Sequence, residues 1–209
     1  MHVALLGDSI FDNRAYTGAE ADVVTHLRAR LPPPWRATLL AVDGSAIADL
    51  AAQIARVPRD ATHLVVAVGG NDALMNQDLL FTPVRSSAQT LELFADRVGR
   101  FEAAYRRAVD AVLALGRETV VCTIYNGNLE APQATLARVG LTTFNDAILR
   151  TGFERRLTII ELRLVCDAPA DYANPIEPSG RGGAKIADAI AHAIGALTSP
   201  TRRTARVFA

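Results

Sequence analysis

The residues most able to do chemistry lie in three short segments near the start of the chain. Ser9 belongs to the segment Gly-Asp-Ser-Ile (7–10), directly after a short apolar run. Gly44 and Asn71 follow the next two apolar runs in the same way. Short apolar runs bounded by glycine and turn-forming residues are typical of buried strands. Because ligands of open α/β sheets bind beyond the carboxyl ends of the strands, all three residues are candidates for one site.

Acyl transfer is the chemistry that this set of residues would support. It requires a hydroxyl nucleophile and hydrogen-bond donors aimed at the oxyanion of the tetrahedral intermediate. Ser9 would be the nucleophile, and the donors would be the N–H groups of Ser9 and Gly44 with the side-chain amide of Asn71. Taken singly, each has a simpler role: Asp8 and Ser9 in turn hydrogen bonds, Gly44 in a turn, Asn71 as a helix cap. Their ordered occurrence after three successive strands favours the catalytic interpretation.

An alternation of strands and helices predicts how these residues are positioned. Most of the apolar runs have the nearly continuous Val, Leu and Ile of strands covered on both faces. Five strands are predicted, over residues 3–6, 37–42, 63–68, 118–124 and 157–162. Helices are predicted between and after them, over residues 19–31, 45–57, 91–115, 133–151 and 179–197. This alternation implies a parallel sheet with right-handed crossovers, and therefore a three-layer α/β/α architecture.

Two long irregular stretches are expected on the same edge of the sheet as Ser9. They cover residues 72–90 and 167–179, and long loops in compact domains are often functional. We expect the first of them, together with residues 125–135, to wall a substrate pocket. Its apolar residues suggest an acyl-binding side; they are Leu79, Leu80 and Phe81.

Length and charge exclude several classes of function. The 209 residues include 22 basic and 22 acidic side chains, so the chain lacks the basic surface typical of nucleic-acid or anionic-membrane binding. We expect one domain over residues 1–197 and a tail over 198–209, whose basic residues are Arg202, Arg203 and Arg206. No apolar run is long enough to span a membrane. A strand beginning at His2 leaves no room for a secretory leader, so we expect a cytoplasmic protein.

Neither a metal ion nor an organic cofactor is expected. Cys122 and Cys166 form no metal-ligand spacing and no disulfide framework. No cluster of histidine, cysteine or carboxylate residues has ligand spacing, and no glycine-rich phosphate fingerprint follows a strand. The expected partner is therefore a small-molecule ester, and the sequence makes no prediction of the oligomeric state.

The three segments identify a known family. The chain resembles the SGNH (GDSL-type) hydrolases, whose sequence blocks place Ser, Gly and Asn at the ends of the first three strands, here Ser9, Gly44 and Asn71. The resemblance extends, in element order, over residues 2–197. It implies a flavodoxin-like sheet of five parallel strands in the order 2-1-3-4-5, and hydrolysis of an ester or thioester through an acyl-serine.

The last block of the family is changed in this chain. The family carries Asp-x-x-His followed by proline, then a glycine and the last helix. Here the proline and the glycine are Pro178 and Gly182, so Glu177 stands in place of the histidine and Asn174 in place of the aspartate. The family's general base and the acid that orients it are therefore both replaced.

None of the four histidines is expected to replace the missing base. His2 and His63 lie at the starts of strands, and five or six residues at roughly 3.3 Å each place them near the opposite edge of the sheet from Ser9. His26 and His192 lie well along helices. All four are therefore interpreted as surface or core residues.

Glu177 and the residues around it can be interpreted in two ways. As a hypothesis, Glu177 accepts the Ser9 proton, although a free Glu with a pKa of about 4.3 is a weak base at neutral pH. Asn174 would orient it, and Asp8 and Asn174 would contact the substrate. Alternatively, Glu177 forms an ion pair, with either Arg181 or Lys185.

Three functions follow from these interpretations. The first is a hydrolase that cleaves a small acyl ester through Ser9 with an atypical base. The second is a non-catalytic protein that binds a ligand or partner on the same fold. The third is a flavodoxin-like nucleotide or phosphate binder using the loop at 69–70, which lacks a nearby lysine. The complete oxyanion set favours the first, because binding alone does not require it.

Overall fold

A five-stranded parallel sheet organises residues 1–197, the part of the chain that the computed structural model describes. The strands are β1 (His2–Gly7), β2 (Arg36–Leu39), β3 (His63–Ala67), β4 (Glu118–Cys122) and β5 (Thr158–Ile160). Their order is β2-β1-β3-β4-β5, and every neighbouring pair is parallel. This confirms the flavodoxin-like order 2-1-3-4-5. The predicted tail, with its three arginines, lies outside the described residues.

Six α-helices connect and cover the strands. They are α1 (Val23–Arg30), α2 (Leu50–Ile54), α3 (Gly70–Leu74), α4 (Ser87–Leu113), α5 (Gln133–Glu154) and α6 (Gly180–Ala193). None of these helices, within residues 1–197, combines the length and hydropathy needed to cross a membrane.

The two faces of the sheet are covered by different helices. Side chains alternate along β1, so that Val3 and Leu5 join one core with residues of α1 and α6. Ala4 and Leu6 join a second core with residues of α2, α4 and α5. The result is the predicted α/β/α arrangement, with the sheet between two layers of helix.

Several strands end earlier than the apolar runs that predicted them. β2 stops at Leu39 because the next two N–H groups, of Leu40 and Ala41, both donate to the Leu5 carbonyl, at 2.8 and 2.9 Å. This shared acceptor ends the regular ladder. β5 stops at Ile160 because the chain enters a 3-10 turn over Leu162–Leu164.

Helix ends differ from the prediction where polar side chains cap them. α1 begins at Val23 because Asp22 accepts a hydrogen bond from the Thr25 N–H, at 2.9 Å. The helix predicted over 45–57 is a 3-10 turn at Ile47–Asp49 followed by the short α2. α6 ends at Ala193 instead of residue 197.

The stretch 72–90 is not an irregular loop, and that prediction was wrong. It contains the end of α3, a 3-10 turn at Gln77–Phe81 and the first turn of α4. Ser86 caps α4 by accepting from the Gln89 N–H at 3.2 Å, which moves the helix start to Ser87. This region is therefore an ordered wall beside the carboxyl edge of β3.

Candidate active site

The turn after β1 holds Ser9 in a well-supported position. Gly7 has φ +141°, and a Cβ there would lie 1.7 Å from the carbonyl oxygen of Ala67, so the position admits only glycine. Gln53, from α2, bonds both backbone groups of Gly7: its Oε1 accepts from the N–H at 2.7 Å and its Nε2 donates to the carbonyl at 2.8 Å. These two hydrogen bonds fix the backbone at the end of β1, and with it the direction in which Asp8 and Ser9 leave the strand.

Ser9 opens into a cavity at the carboxyl edge of the sheet. The cavity has a volume of about 240 Å³ and is lined by Asp8, Ser9, Asn71 and Glu177 at one end. The rest of its lining is mainly apolar. Three of the four residues of the polar end are buried, Asp8, Ser9 and Glu177, with exposed fractions of 2%, 8% and 7%. The structure thus places the proposed nucleophile and the proposed base in the lining of one cavity.

The proposed oxyanion donors are available for hydrogen bonding. Among the hydrogen bonds within residues 1–197, none is donated by the backbone N–H of Ser9 or of Gly44. Gly44 has φ +78°, which favours glycine in the turn after β2, and it is exposed beside the cavity rather than part of its lining. Asn71, in the first turn of α3, uses one N–H on the Ser45 carbonyl, at 2.9 Å, and keeps a second for a ligand.

Hydrogen bonds to the backbone hold Glu177 in place. Asn174 is exposed, and its Oδ1 accepts from the N–H groups of Ile176 and Glu177, at 2.9 Å each. The Glu177 carbonyl accepts from the Ala173 N–H at 2.8 Å. Tyr125, which follows β4, donates its hydroxyl to the Ile176 carbonyl at 2.6 Å. We expected Asn174 to orient the Glu177 carboxylate. Its side chain instead accepts hydrogen bonds from the backbone and so fixes the main chain at Glu177.

The Glu177 carboxylate faces Ser9 and lacks a cationic partner. Burial raises the pKa of Glu177, the Ser9 hydroxyl opposes this as a hydrogen-bond partner, and the charge of Asp43 adds to the rise. Its Oε2 is buried and has no hydrogen-bond partner among the described residues. A raised pKa makes this carboxylate a stronger base than a free glutamate.

The predicted alternative of an ion pair for Glu177 is wrong. Lys185 lies 2.7 Å from both Asp167 and Asp171. Arg181 lies 3.5 Å from Asp171. Both cations are therefore engaged on the first turns of α6, on carboxylates other than that of Glu177.

Asp8 is a second buried carboxyl group beside the nucleophile. Its Oδ1 accepts from the Ile10 N–H at 3.1 Å, and its Oδ2 has no partner within the described chain. Burial raises the pKa of Asp8 to about 7; the Ile10 N–H opposes this rise, and the charges of Glu177 and Asp72 add to it. The polar end of the cavity is therefore acidic, since its described lining contains no lysine, arginine or histidine.

The four histidines lie away from this cavity. His2 is buried between Asp60 and Thr38, at 3.2 and 2.7 Å. His63 contacts the adjacent Thr62, and the Nδ1 of His192 lies 2.7 Å from the Asp188 carbonyl oxygen on α6. The lining within residues 1–197 includes none of the four.

Sequence reasoning missed the polar residues that position the site from a distance. Gln53 holds Gly7, and Asn13 is fully buried between two segments: it accepts from the Val23 N–H at 3.0 Å and donates to the Pro178 carbonyl at 3.1 Å. Asn13 therefore ties the loop after Ser9 to the residue after Glu177. The available signal was a lone glutamine among the apolar residues of α2; Asn13 lies in a turn-rich segment with no such signal.

No group of three or more histidine, cysteine or acidic residues in the described chain is placed to hold a metal ion. Cys122 and Cys166 are buried free thiols. The arrangement at Ser9 therefore offers a hydroxyl, two carboxyl groups and hydrogen-bond donors from the chain itself.

Solved structures with similar folds include lipases and an esterase. An extracellular lipase from Streptomyces rimosus superposes with a TM-score of 0.67 at 14% identity, over 92% of this chain and 99% of that one. A lipase from a goat rumen metagenome gives 0.71 at 16% identity, over 92% and 97%. A psychrotrophic esterase from Pseudoalteromonas gives 0.63 at 13% identity, over 93% and 96%. At these identities the likeness shows a shared fold.

Family assignment comes from the sequence itself. No curated protein matches the chain. The family model for the GDSL-like lipase/acylhydrolase family matches residues 5–185, which include every residue of the site described above. With the strand order, the Ser9 turn and this match, the chain belongs to the GDSL-like lipase/acylhydrolase family.

Proposed function

We propose that the protein hydrolyses an uncharged acyl ester, with Ser9 as the nucleophile and Glu177 as an atypical general base. The observation that carries the proposal is that Ser9 and Glu177 line one cavity, with the Glu177 Oε2 buried and without a partner among the described residues. Within residues 1–197, Ser9 and Asn71 in the same lining, and Gly44 in the turn after β2, each have an N–H group free for a ligand, and this supports the proposed oxyanion donors.

The proposed reaction has two halves. The Ser9 proton moves to Glu177 as the Ser9 oxygen attacks the ester carbon, and the resulting oxyanion accepts hydrogen bonds from Ser9, Gly44 and Asn71. The intermediate then expels the alcohol, which leaves with the proton from Glu177. In the second half a water molecule gives its proton to Glu177 and attacks the acyl-serine. The carboxylic acid is released and the Ser9 hydroxyl is restored.

The charge of the cavity supports an uncharged substrate. Asp8 and Glu177 line it, and the described lining has no cationic side chain to offset them. Phosphate groups would meet carboxylates there without a compensating charge, which weighs against a nucleotide or phosphate binder. A neutral ester avoids this repulsion.

Hydrolysis of 4-nitrophenyl acetate tests the proposal. The purified protein, its Ser9→Ala and Glu177→Gln variants and the control Ser87→Ala, which alters an exposed serine of α4, would be compared. We expect turnover in the wild type and the control, and background rates in the other two. Mass spectrometry of quenched protein should show an acetyl group on Ser9.

Background rates in all four proteins would contradict the proposal. They would instead favour the second function, in which the cavity binds a ligand without turnover. Activity that survives Ser9→Ala would exclude the acyl-serine, and activity that survives Glu177→Gln would exclude Glu177 as the base.

A further inference from the structure

We propose that the apolar part of the cavity is an acyl-chain chamber, and that Gly140 sets the length of chain it accepts. This inference rests on the proposed function and names its substrate class, an uncharged ester of a medium-length fatty acid. It extends the site from the carboxyl edge of the sheet to the groove between α4 and α5.

The chamber is built by elements that the catalytic residues do not use. The 3-10 turn after α3 contributes Leu80 and Phe81, α4 contributes Phe94, and α5 contributes Leu141 and Phe144. Ile124, two residues after β4, also lines the chamber. Phe144 is 3% exposed and packs against Phe101 in an edge-to-face pair with centroids 5.0 Å apart, so the inner end of the chamber is fixed by the core.

The size of the cavity fits a chain of medium length. An apolar cavity of about 150 Å³ accommodates benzene, with its six carbons, so the whole cavity of 240 Å³ corresponds in proportion to roughly ten non-hydrogen atoms, as many as an octanoate group has with its two oxygens. The chain must also be uncharged at its far end, because no lysine, arginine or histidine of the described residues lines the chamber. Acetyl esters would leave most of this apolar surface without a contact.

Gly140 is the position where a side chain would shorten the chamber. It is buried in the middle of α5, and a Cβ built there would lie 3.7 and 3.9 Å from two ring carbons of Phe94, which is ordinary van der Waals contact. A Cβ at this position therefore touches Phe94 without a clash, and the further carbons of a larger side chain would extend beyond that contact. Both Gly140 and Phe94 line the chamber. The outer carbons of a leucine side chain at position 140 would therefore occupy space that the acyl chain needs.

The variant Gly140→Leu tests this with a matched control. Gly99→Leu makes the same change inside α4 at an exposed glycine, where a new Cβ meets nothing within 4 Å. Both changes also raise helix propensity, so that effect cancels in the comparison. Rates would be measured with 4-nitrophenyl esters from acetate to dodecanoate.

We expect the wild type and Gly99→Leu to prefer chains of roughly eight carbons, because added methylenes bind in an apolar pocket. In Gly140→Leu, kcat/KM for the octanoate should fall by about tenfold or more, while the acetate rate stays within about twofold. An unchanged chain-length profile, or an equal loss on acetate and octanoate, would overturn the inference. If Gly140→Leu fails to fold by circular dichroism, Ala137→Leu, three residues earlier on α5 and also in the lining, takes its place.

Binding of octanamide separates this inference from the catalytic proposal. Octanamide is uncharged and has no ester to cleave, so it reports on the chamber alone. We expect it to raise the melting temperature of the wild type and of Gly99→Leu but not of Gly140→Leu. If octanamide gives these shifts but no ester is hydrolysed, the chamber is upheld and the hydrolase is rejected. If esters are hydrolysed but octanamide does not raise the melting temperature of the wild type, the hydrolase is upheld and the chamber is rejected.

Discussion

Replacing an imidazole by a carboxylate changes the pH range in which the site can accept a proton. Glu177 is a base only when it is deprotonated, and burial raises its pKa above the ordinary value of 4.5. Activity should therefore increase with pH through a midpoint above 4.5 and then level off.

Glu177→Gln keeps the size of the side chain and removes its basicity. We expect kcat to fall by about a hundredfold or more, the usual contribution of a general base, and the pH dependence below neutrality to disappear. Steady-state rates between pH 4 and 9, measured for both proteins, would check this. A variant with the same pH profile as the wild type would show that another group titrates.

Asp8 should make the folded protein less stable as the pH rises, whereas an ion-paired carboxylate makes a protein more stable as the pH rises. Because burial raises its pKa from 3.8 to about 7, the folded protein binds more protons than the unfolded chain between those values. Stability should therefore decrease as the pH rises from 4 to 7. Above pH 7 the loss of stability from ionising the buried Asp8 carboxyl group is complete.

Asp8→Asn removes this penalty while keeping an oxygen to accept the Ile10 N–H. At pH 8 we expect the variant to be more stable than the wild type by up to about 4 kcal/mol, from three pKa units at 1.36 kcal/mol each. At pH 4 the two proteins should be similar. Urea unfolding at both pH values would test this, and a difference independent of pH would contradict it.

At the scale of elements, the loop after β4 supports the segment that carries Glu177. Tyr125 and Tyr172 form an edge-to-face pair with centroids 5.4 Å apart. Each hydroxyl donates to a backbone carbonyl: Tyr125 to Ile176, next to Glu177, and Tyr172 to Cys166 at 2.8 Å. The two tyrosines are thus chemically matched, and only the first bonds to the residue beside the proposed base.

We expect Tyr125→Phe and Tyr172→Phe each to lose about 1 kcal/mol of stability, the typical net value of one hydrogen bond. Only Tyr125→Phe should also lower kcat with little change in KM, because it loosens the segment that positions Glu177. Chemical unfolding and steady-state kinetics would be measured on both. Equal effects on kcat would assign Tyr125 a purely structural role.

At the scale of the whole molecule, one sheet joins the two cores. Ile186 on α6 and Ile148 on α5 are both fully buried, on opposite faces of the sheet. The same strands supply side chains to both faces, so loss of either core removes the support of the other. We therefore expect residues 1–197 to unfold as one domain.

Ile186→Ala and Ile148→Ala test this coupling. Each should destabilise the fold by about 2–5 kcal/mol, as expected for a buried isoleucine, and each should leave a single transition. The chain has one tryptophan, Trp35, which packs against the core on the α1/α6 face. In Ile148→Ala the substitution lies on the other face of the sheet. The Trp35 fluorescence and the far-ultraviolet circular dichroism of the protein should nevertheless change together on unfolding. Separate transitions would contradict the single domain.

The sequence by itself determined the architecture and the family of this protein. Apolar runs such as 63–68, the helical spacing of α4 and the Ser9 segment are local patterns, and each depends on neighbours along the chain. These patterns predicted the alternation of strands and helices, and the family resemblance of the Ser9, Gly44 and Asn71 segments implied the strand order, which was confirmed. Helix starts at Val23 and Ser87 were misplaced, because the caps Asp22 and Ser86 are common residue types whose role depends on backbone conformation.

Only the tertiary structure decided which residues meet at the site. Glu177 and Arg181 are close in sequence, yet Asp171 attracts the arginine and Glu177 lies beside Ser9. Gln53 and Asn13 support the site over 46 and 165 residues of sequence separation. Such contacts follow from the packing of distant elements, which no local pattern encodes. The shape of the cavity, and with it the space beside Gly140, arises in the same way.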